Sequence, residues 1–173
     1  AVAAAKKAYE TWRLVPAPKR GELLFRVARL IAERKESWAL EMSREMGKTL
    51  TEARGDVQEA VDMAYYVAGE GRRLFGHTTP SELPDKFAMS VRTPVGVCAL
   101  ITPWNFPIAV PSWKIFPCLL SGNTIVWKPA EDSPLMGQRF AEVLEEAGLP
   151  PGVLNLVQGD GPGAGQPLLE HDD

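Results

Sequence analysis

Three short stretches hold the residues able to do chemistry. The first, "TPWNFP" at 102–107, sets the uncharged amide of Asn105 between Trp104 and Phe106, with Pro103 and Pro107 on either side. A side-chain amide N–H can donate to an oxygen that gains negative charge as a carbonyl is attacked. Such a donor must be fixed, and flanking prolines restrict the backbone. The same residue type also serves as a helix cap. The second stretch, "KPAE" at 128–131, follows an apolar run. Lys128 and Glu131 converging there can both hydrogen-bond the vicinal hydroxyls of a ribose, or they can form an ordinary surface pair at a helix start. The third, "GDGPGAG" at 159–165, contains Gly159-x-Gly161-x-x-Ala164, a form of the glycine fingerprint that turns a strand into a helix around a pyrophosphate. Pro162 is unusual in such a loop, and the acidic partner expected about 20 residues later falls beyond Asp173. No Gly-Lys-Ser/Thr follows, so the loop is not a P-loop.

Other chemistries find little support. His77 and His171 lie far apart and no cysteine pair has ligand spacing, so no metal site is expected. Cys98 and Cys118 sit in apolar runs without a neighbouring base, which reads as packed core thiols in a reducing, cytoplasmic compartment. A net charge of −3 argues against nucleic-acid binding. No stretch stays apolar for the ~18 residues that span a membrane. Residues 1–55 carry 12 Lys/Arg against 7 Asp/Glu, a balance that suits a solvated helical face.

The elements that must position these residues follow from periodicity. Leu23, Leu24, Val27, Leu30 and Ile31 fall on one helical stripe, and Trp38, Met42 and Met46 on another that ends at Gly47. Thr49 and Glu52 have capping-box spacing, ahead of a helix carrying Val57, Val61, Ala64 and Ala68. "HTTPSELPDK" at 77–86 reads as a linker, and Phe87, Met89 and Val91 alternate as in a half-buried strand that meets a turn or edge at Pro94–Gly96. From residue 97 a unit repeats: "VCALIT", a helix around Val110–Leu120 with Pro117 as a kink, "NTIVWKP", a helix opened by Ser133 as N-cap and Pro134, "VLNLVQG", and a last helical start at "QPLLEH". Strand–helix alternation predicts a parallel sheet covered on both faces. Right-handed crossovers bring the three strand ends to one edge, where open α/β sheets bind ligands.

"PVGVCALITPWNFPIAVPSWKIFPCLLSGNTIVWKPAEDSPL" and "EEAGLPPGVLNLVQGDGPGAG", with "EMGKTLTEARGDV" upstream, resemble the N-terminal block of the aldehyde dehydrogenase superfamily. The resemblance implies an α/β fold of N-terminal helices followed by the first part of a Rossmann-like parallel sheet. Residues 1–76 would be the helical part of the cofactor-binding domain, 77–96 a linker and β-hairpin oligomerisation arm, and 97–173 the first βαβαβα part of the NAD(P)-binding domain. Asn105 would be the oxyanion-hole amide. Ile101, Thr102, Pro103 and Trp104, with Asn105 itself, would line the nicotinamide side, and Lys128, Ala130 and Glu131 would hold the adenosine ribose. Gly161 and Gly165 would lie under the adenine-side helix. Glu131 would repel a 2′-phosphate, favouring NAD over NADP. The substrate would be a small-molecule aldehyde, and the complete enzyme a homodimer or homotetramer.

The family's catalytic cysteine and general-base glutamate belong to later segments, and no residue here matches either motif. Both ends read as cut, so these 173 residues are expected to be a fragment without turnover of its own. Two other readings compete. One is a truncated, non-catalytic remnant that binds nucleotide or serves as an interaction module. The other is a nicotinamide reductase whose glycine loop is the main pyrophosphate site.

Overall fold

Four helices come first: α1 (Val2–Trp12), α2 (Ala17–Glu33), α3 (Lys35–Met46) and α4 (Leu50–Glu70). The computed structural model describes residues 1–172; Asp173, the last residue of the expected cofactor-binding segment, lies outside them. α3 stops at Gly47, whose φ of 78° suits a residue without a Cβ. α4 starts at Thr49, whose Oγ1 accepts from the Glu52 N–H at 3.3 Å and donates to the Glu52 carboxylate at 2.7 Å. α2 and α4 pack so closely that a Cβ on Gly21 would stand 2.6 Å from the Ala68 carbonyl oxygen. Leu24, Val27, Ile31, Met42, Val57 and Ala64 fill the interior between α2, α3 and α4.

A small hairpin follows, with β1 (Thr78–Thr79) antiparallel to β2 (Ala88–Met89). The half-buried strand expected at 87–91 is reduced to Ala88–Met89, and its expected inner face is not buried. Phe87, Met89 and Val91 are 75%, 63% and 67% exposed. Alternation buries one face only where another surface meets it, and among the described residues none does.

The main sheet is parallel, in the order β3 (Val97–Ile101), β4 (Thr124–Lys128), β5 (Leu154–Leu156). Ile101 pairs with Lys128, and Trp127 with Leu156, which aligns the carboxyl ends. The crossovers are α5 (Ala109–Leu120), which runs through Pro117, and α6 (Pro134–Glu146). Every residue of β4 is buried. Ile125 and Trp127 enter the core with Phe116 and Phe140. Thr124 points to the other face, where its hydroxyl donates to the Ala5 carbonyl of α1 at 3.0 Å. The edge strands β3 and β5 are only half-covered. No helix among the described residues is long and apolar enough to cross a membrane.

Two local expectations are corrected. Ser133 occupies the N-cap position of α6, but its hydroxyl is buried without a hydrogen-bond partner among the described residues. The cap comes from Glu45 near the end of α3, which accepts from the Leu135 N–H at 2.5 Å and the Met136 N–H at 3.1 Å. A carboxylate offers two acceptors and a negative charge to the positive helix end. Cys118 is half-buried but packs against the core, whereas Cys98 is half-buried outside it, because it lies on edge strand β3. A hydrogen bond from Cys118 lowers the Cys98 thiol to about 7, while the same bond and burial push Cys118 up.

After β5 the chain makes a π-helical turn over Gly161–Gly165 and a single turn of helix, α7 (Gln166–Leu169).

Candidate functional site

The carboxyl ends of β3 and β4 face the glycine turn across a cleft of about 530 Å³. Ile101, Thr102, Lys128, Ala130, Glu131, Gly161 and Gly165 all line it. Pro162, marked in the sequence only as unusual for such a loop, lines it too, with Gln166 and Leu169, which the sequence did not single out. Lys128 is its buried charged member, 3% exposed. Its ammonium donates to the Pro129 carbonyl at 2.9 Å and to the Glu131 carboxylate at 3.1 Å. Glu131 stands half-exposed at the lip. Its own backbone N–H, then the Lys128 ammonium, hold its carboxyl below the usual range. The pair is therefore intact at neutral pH, and it is lost only as pH falls through that lowered value.

Pro103, Trp104 and Asn105 leave the cleft on an outward loop. The loop starts from a fixed point. Thr102 is buried, its hydroxyl accepts from the Trp127 indole N–H at 3.0 Å, and its own N–H donates to the Lys128 carbonyl at 3.2 Å. Lys114 of α5 donates to the Ile101 carbonyl at 3.0 Å. Trp104 turns into a separate hollow with Glu45, Met46 and Asp132. Asn105 is exposed, and its side-chain amide makes no hydrogen bond among the described residues. It does not cap the next helix, since the N-cap of α5 is Ile108. Its backbone carbonyl is held instead, by Lys48 Nζ at 2.6 Å.

Lys48 and Asp56 are the residues that sequence reasoning missed. The Asp56 carboxylate is buried, accepting from Lys48 at 2.8 Å with one oxygen and from the Ala109 N–H at 2.7 Å with the other. Burial pushes its carboxyl up, against the pull of Lys48 and of the Ala109 and Ile108 N–H groups. The available signal was position: Asp56 lies on the buried stripe of α4 between Ala53 and Ala60.

The glycine turn is a poor pyrophosphate cradle, because three of its N–H groups are already engaged within the turn. The Gly163 N–H donates to the Asp160 carboxylate at 2.7 Å, and the Ala164 and Gly165 N–H groups donate to the Asp160 carbonyl at 3.1 and 3.2 Å. The glycines serve close packing instead. At Gly159, φ is 150° and a Cβ would stand 2.7 Å from the Ala164 Cβ, whereas a Cβ on Gly161 meets nothing within 4 Å. Gly159→Ala is therefore expected to lower the unfolding midpoint by the equivalent of about 1–3 kcal/mol. Gly161→Ala should leave the unfolding midpoint within the equivalent of about 0.5 kcal/mol, since its Cβ meets nothing. Denaturant unfolding on the two variants checks both. This arrangement counts against the reductase reading.

Parallel strands that end on a cleft with a buried ammonium define an α/β unit of Rossmann-like class. The chain belongs to the aldehyde dehydrogenase family, which it matches over residues 1–173. It is 44% identical over 172 residues to the α-ketoglutaric semialdehyde dehydrogenase of Bacillus subtilis, covering 99% of this chain and 35% of that protein. Its fold superposes on the crystal structure of an NAD-dependent aldehyde dehydrogenase from Sinorhizobium meliloti with a TM-score of 0.94 at 42% identity, over 99% of this chain and 34% of that one. PnpE, solved in complex with nicotinamide adenine dinucleotide, gives 0.95 at 41% identity, over 98% of this chain and 35% of that one. The chain thus spans about a third of the length of the relatives it matches.

Proposed function

We propose that this chain forms the cofactor-binding and oxyanion-stabilising part of an NAD-dependent aldehyde dehydrogenase that oxidises an aldehyde to a carboxylic acid. The observation that carries the reading is the Lys128 ammonium 3.1 Å from the Glu131 carboxylate at the carboxyl edge of the sheet, in a chain of this family. The pair fits a vicinal diol. A ribose hydroxyl can donate to Glu131 and accept from Lys128, and the exposed lip leaves both within reach. The lip carboxylate repels a 2′-phosphate, which favours NAD over NADP. When bound, the nicotinamide supplies the hydride acceptor.

Asn105 works on the substrate side. When a cysteine thiolate from outside these residues adds to the aldehyde, a C–S bond forms and the carbonyl π pair moves onto oxygen. The unengaged Asn105 N–H donates to that oxygen as it becomes negative. The pair returns to re-form C=O as hydride leaves, and water then displaces the sulfur to release the acid. In this reading the helices of 1–76 are the platform, 77–96 an oligomerisation arm, and 97–173 the cofactor half-site of a cytoplasmic homo-oligomer.

Steady-state kinetics of the complete enzyme with each cofactor test the reading. Glu131→Gln should raise KM for NAD about tenfold, as a charge-assisted hydrogen bond is lost, and should narrow the preference over NADP. A wild-type enzyme that prefers NADP would sink the role given to Glu131.

A further inference from the structure

We infer that Lys48, held by Asp56, is a positioning residue for Asn105; this rests on the role of Asn105 proposed above. The prolines around Asn105 restrict its dihedral angles but do not tie the loop to anything. Lys48 does. Its ammonium donates to the Asn105 carbonyl at 2.6 Å and stands 3.9 Å from the centre of the Phe106 ring. The same ammonium meets Asp56 at 2.8 Å, and the Lys48 and Asp56 side chains are 9% and 0% exposed. Asp56 in turn holds the Ala109 N–H, at the first turn of α5, at 2.7 Å. The Lys48–Asp56 pair therefore clasps the α3–α4 joint, the Asn105 loop and the start of α5. Loss of an exposed ion pair is nearly neutral; loss of this one frees a loop whose amide must meet an oxygen to within a few tenths of an ångström.

A double-mutant cycle on the complete enzyme tests the clasp. Lys48→Met should lower kcat about 10- to 100-fold while KM for NAD stays within about twofold, the mark of a donor displaced rather than a cofactor site lost. In an Asn105→Ala background the same substitution should change kcat by less than about twofold, because Lys48 acts through Asn105. Lys48→Met alone leaves Asp56 buried without its cation. Lys48→Met combined with Asp56→Asn removes the charge but keeps an acceptor for Ala109, and it should show the same loss of kcat. Amide exchange should rise at least tenfold at Val110, whose N–H donates to the Phe106 carbonyl of this loop at 3.1 Å, in that pair variant and stay unchanged in α6. Unchanged exchange, a fully active Lys48→Met, or losses that multiply in the cycle would each overturn the clasp. A fully active Asn105→Ala would overturn the role of Asn105 itself, and the clasp with it. A crippled Asn105→Ala beside an intact Lys48→Met overturns the clasp alone.

Discussion

Replacing Asn105 by alanine is expected to lower kcat of the complete enzyme by about 10²–10³-fold, the usual cost of one oxyanion donor. Affinity for NAD should hold, because Asn105 lies outside the Lys128–Glu131 cleft. Folding should hold as well. The side-chain amide is exposed and bonds to nothing among the described residues, so alanine removes no buried contact. The contact that fixes the loop runs through the backbone carbonyl, which every side chain shares. Asn105→Asp sharpens the measurement. It keeps size and shape but replaces a donor by a negative charge facing the developing oxyanion, so it should be at least as damaging as alanine. An active Asn105→Asp enzyme would rule out hydrogen-bond donation as the role.

The largest expected loss of stability comes from Trp127→Ala. The indole is fully buried near the carboxyl end of β4, edge-on to Phe140 with centroids 5.6 Å apart, and Phe140 stacks on Phe116 at 5.4 Å. Truncation removes this packing at a cost of about 3–5 kcal/mol. It also takes away the N–H that Thr102 accepts at 3.0 Å, where β3 hands over to the Asn105 loop. Trp127→Phe separates the two effects. It retains most of the ring and should cost about 1–3 kcal/mol, chiefly the orphaned hydroxyl. Denaturant unfolding gives both values. A Trp127→Ala loss below about 1 kcal/mol would mean that the core collapses around the gap far more readily than close packing allows.

The parts of the fold that local chemistry causes were legible in the sequence. Gly47 ends α3 because only a glycine takes that φ cheaply, and Thr49 starts α4 through a neighbour three residues on. The strand–helix alternation after residue 97 leads to a parallel sheet because few other arrangements bury such strands. Lys128, Ala130, Glu131, Gly161 and Gly165 gather in one cleft, as the strand ends suggested. What escaped depends on residues remote in sequence. Glu45 caps a helix 90 positions away, and Lys48 reaches a carbonyl 57 positions away. No periodicity carries such pairs. The alternation of Phe87, Met89 and Val91 was read correctly as a pattern and wrongly as burial, since burial needs a partner surface. The spacing of the glycine turn could not show that Asp160 had already claimed its N–H groups.

The Glu45 cap carries a consequence for selectivity. Helix α6 begins directly after Glu131, Asp132 and Ser133, so its positive end is the nearest natural berth for an anion beside the proposed ribose site. That berth is taken: the Glu45 carboxylate already satisfies the Leu135 and Met136 N–H groups. A cofactor bearing one extra phosphate would thus meet a repelling lip and a helix end whose appetite for negative charge has been met from within the protein.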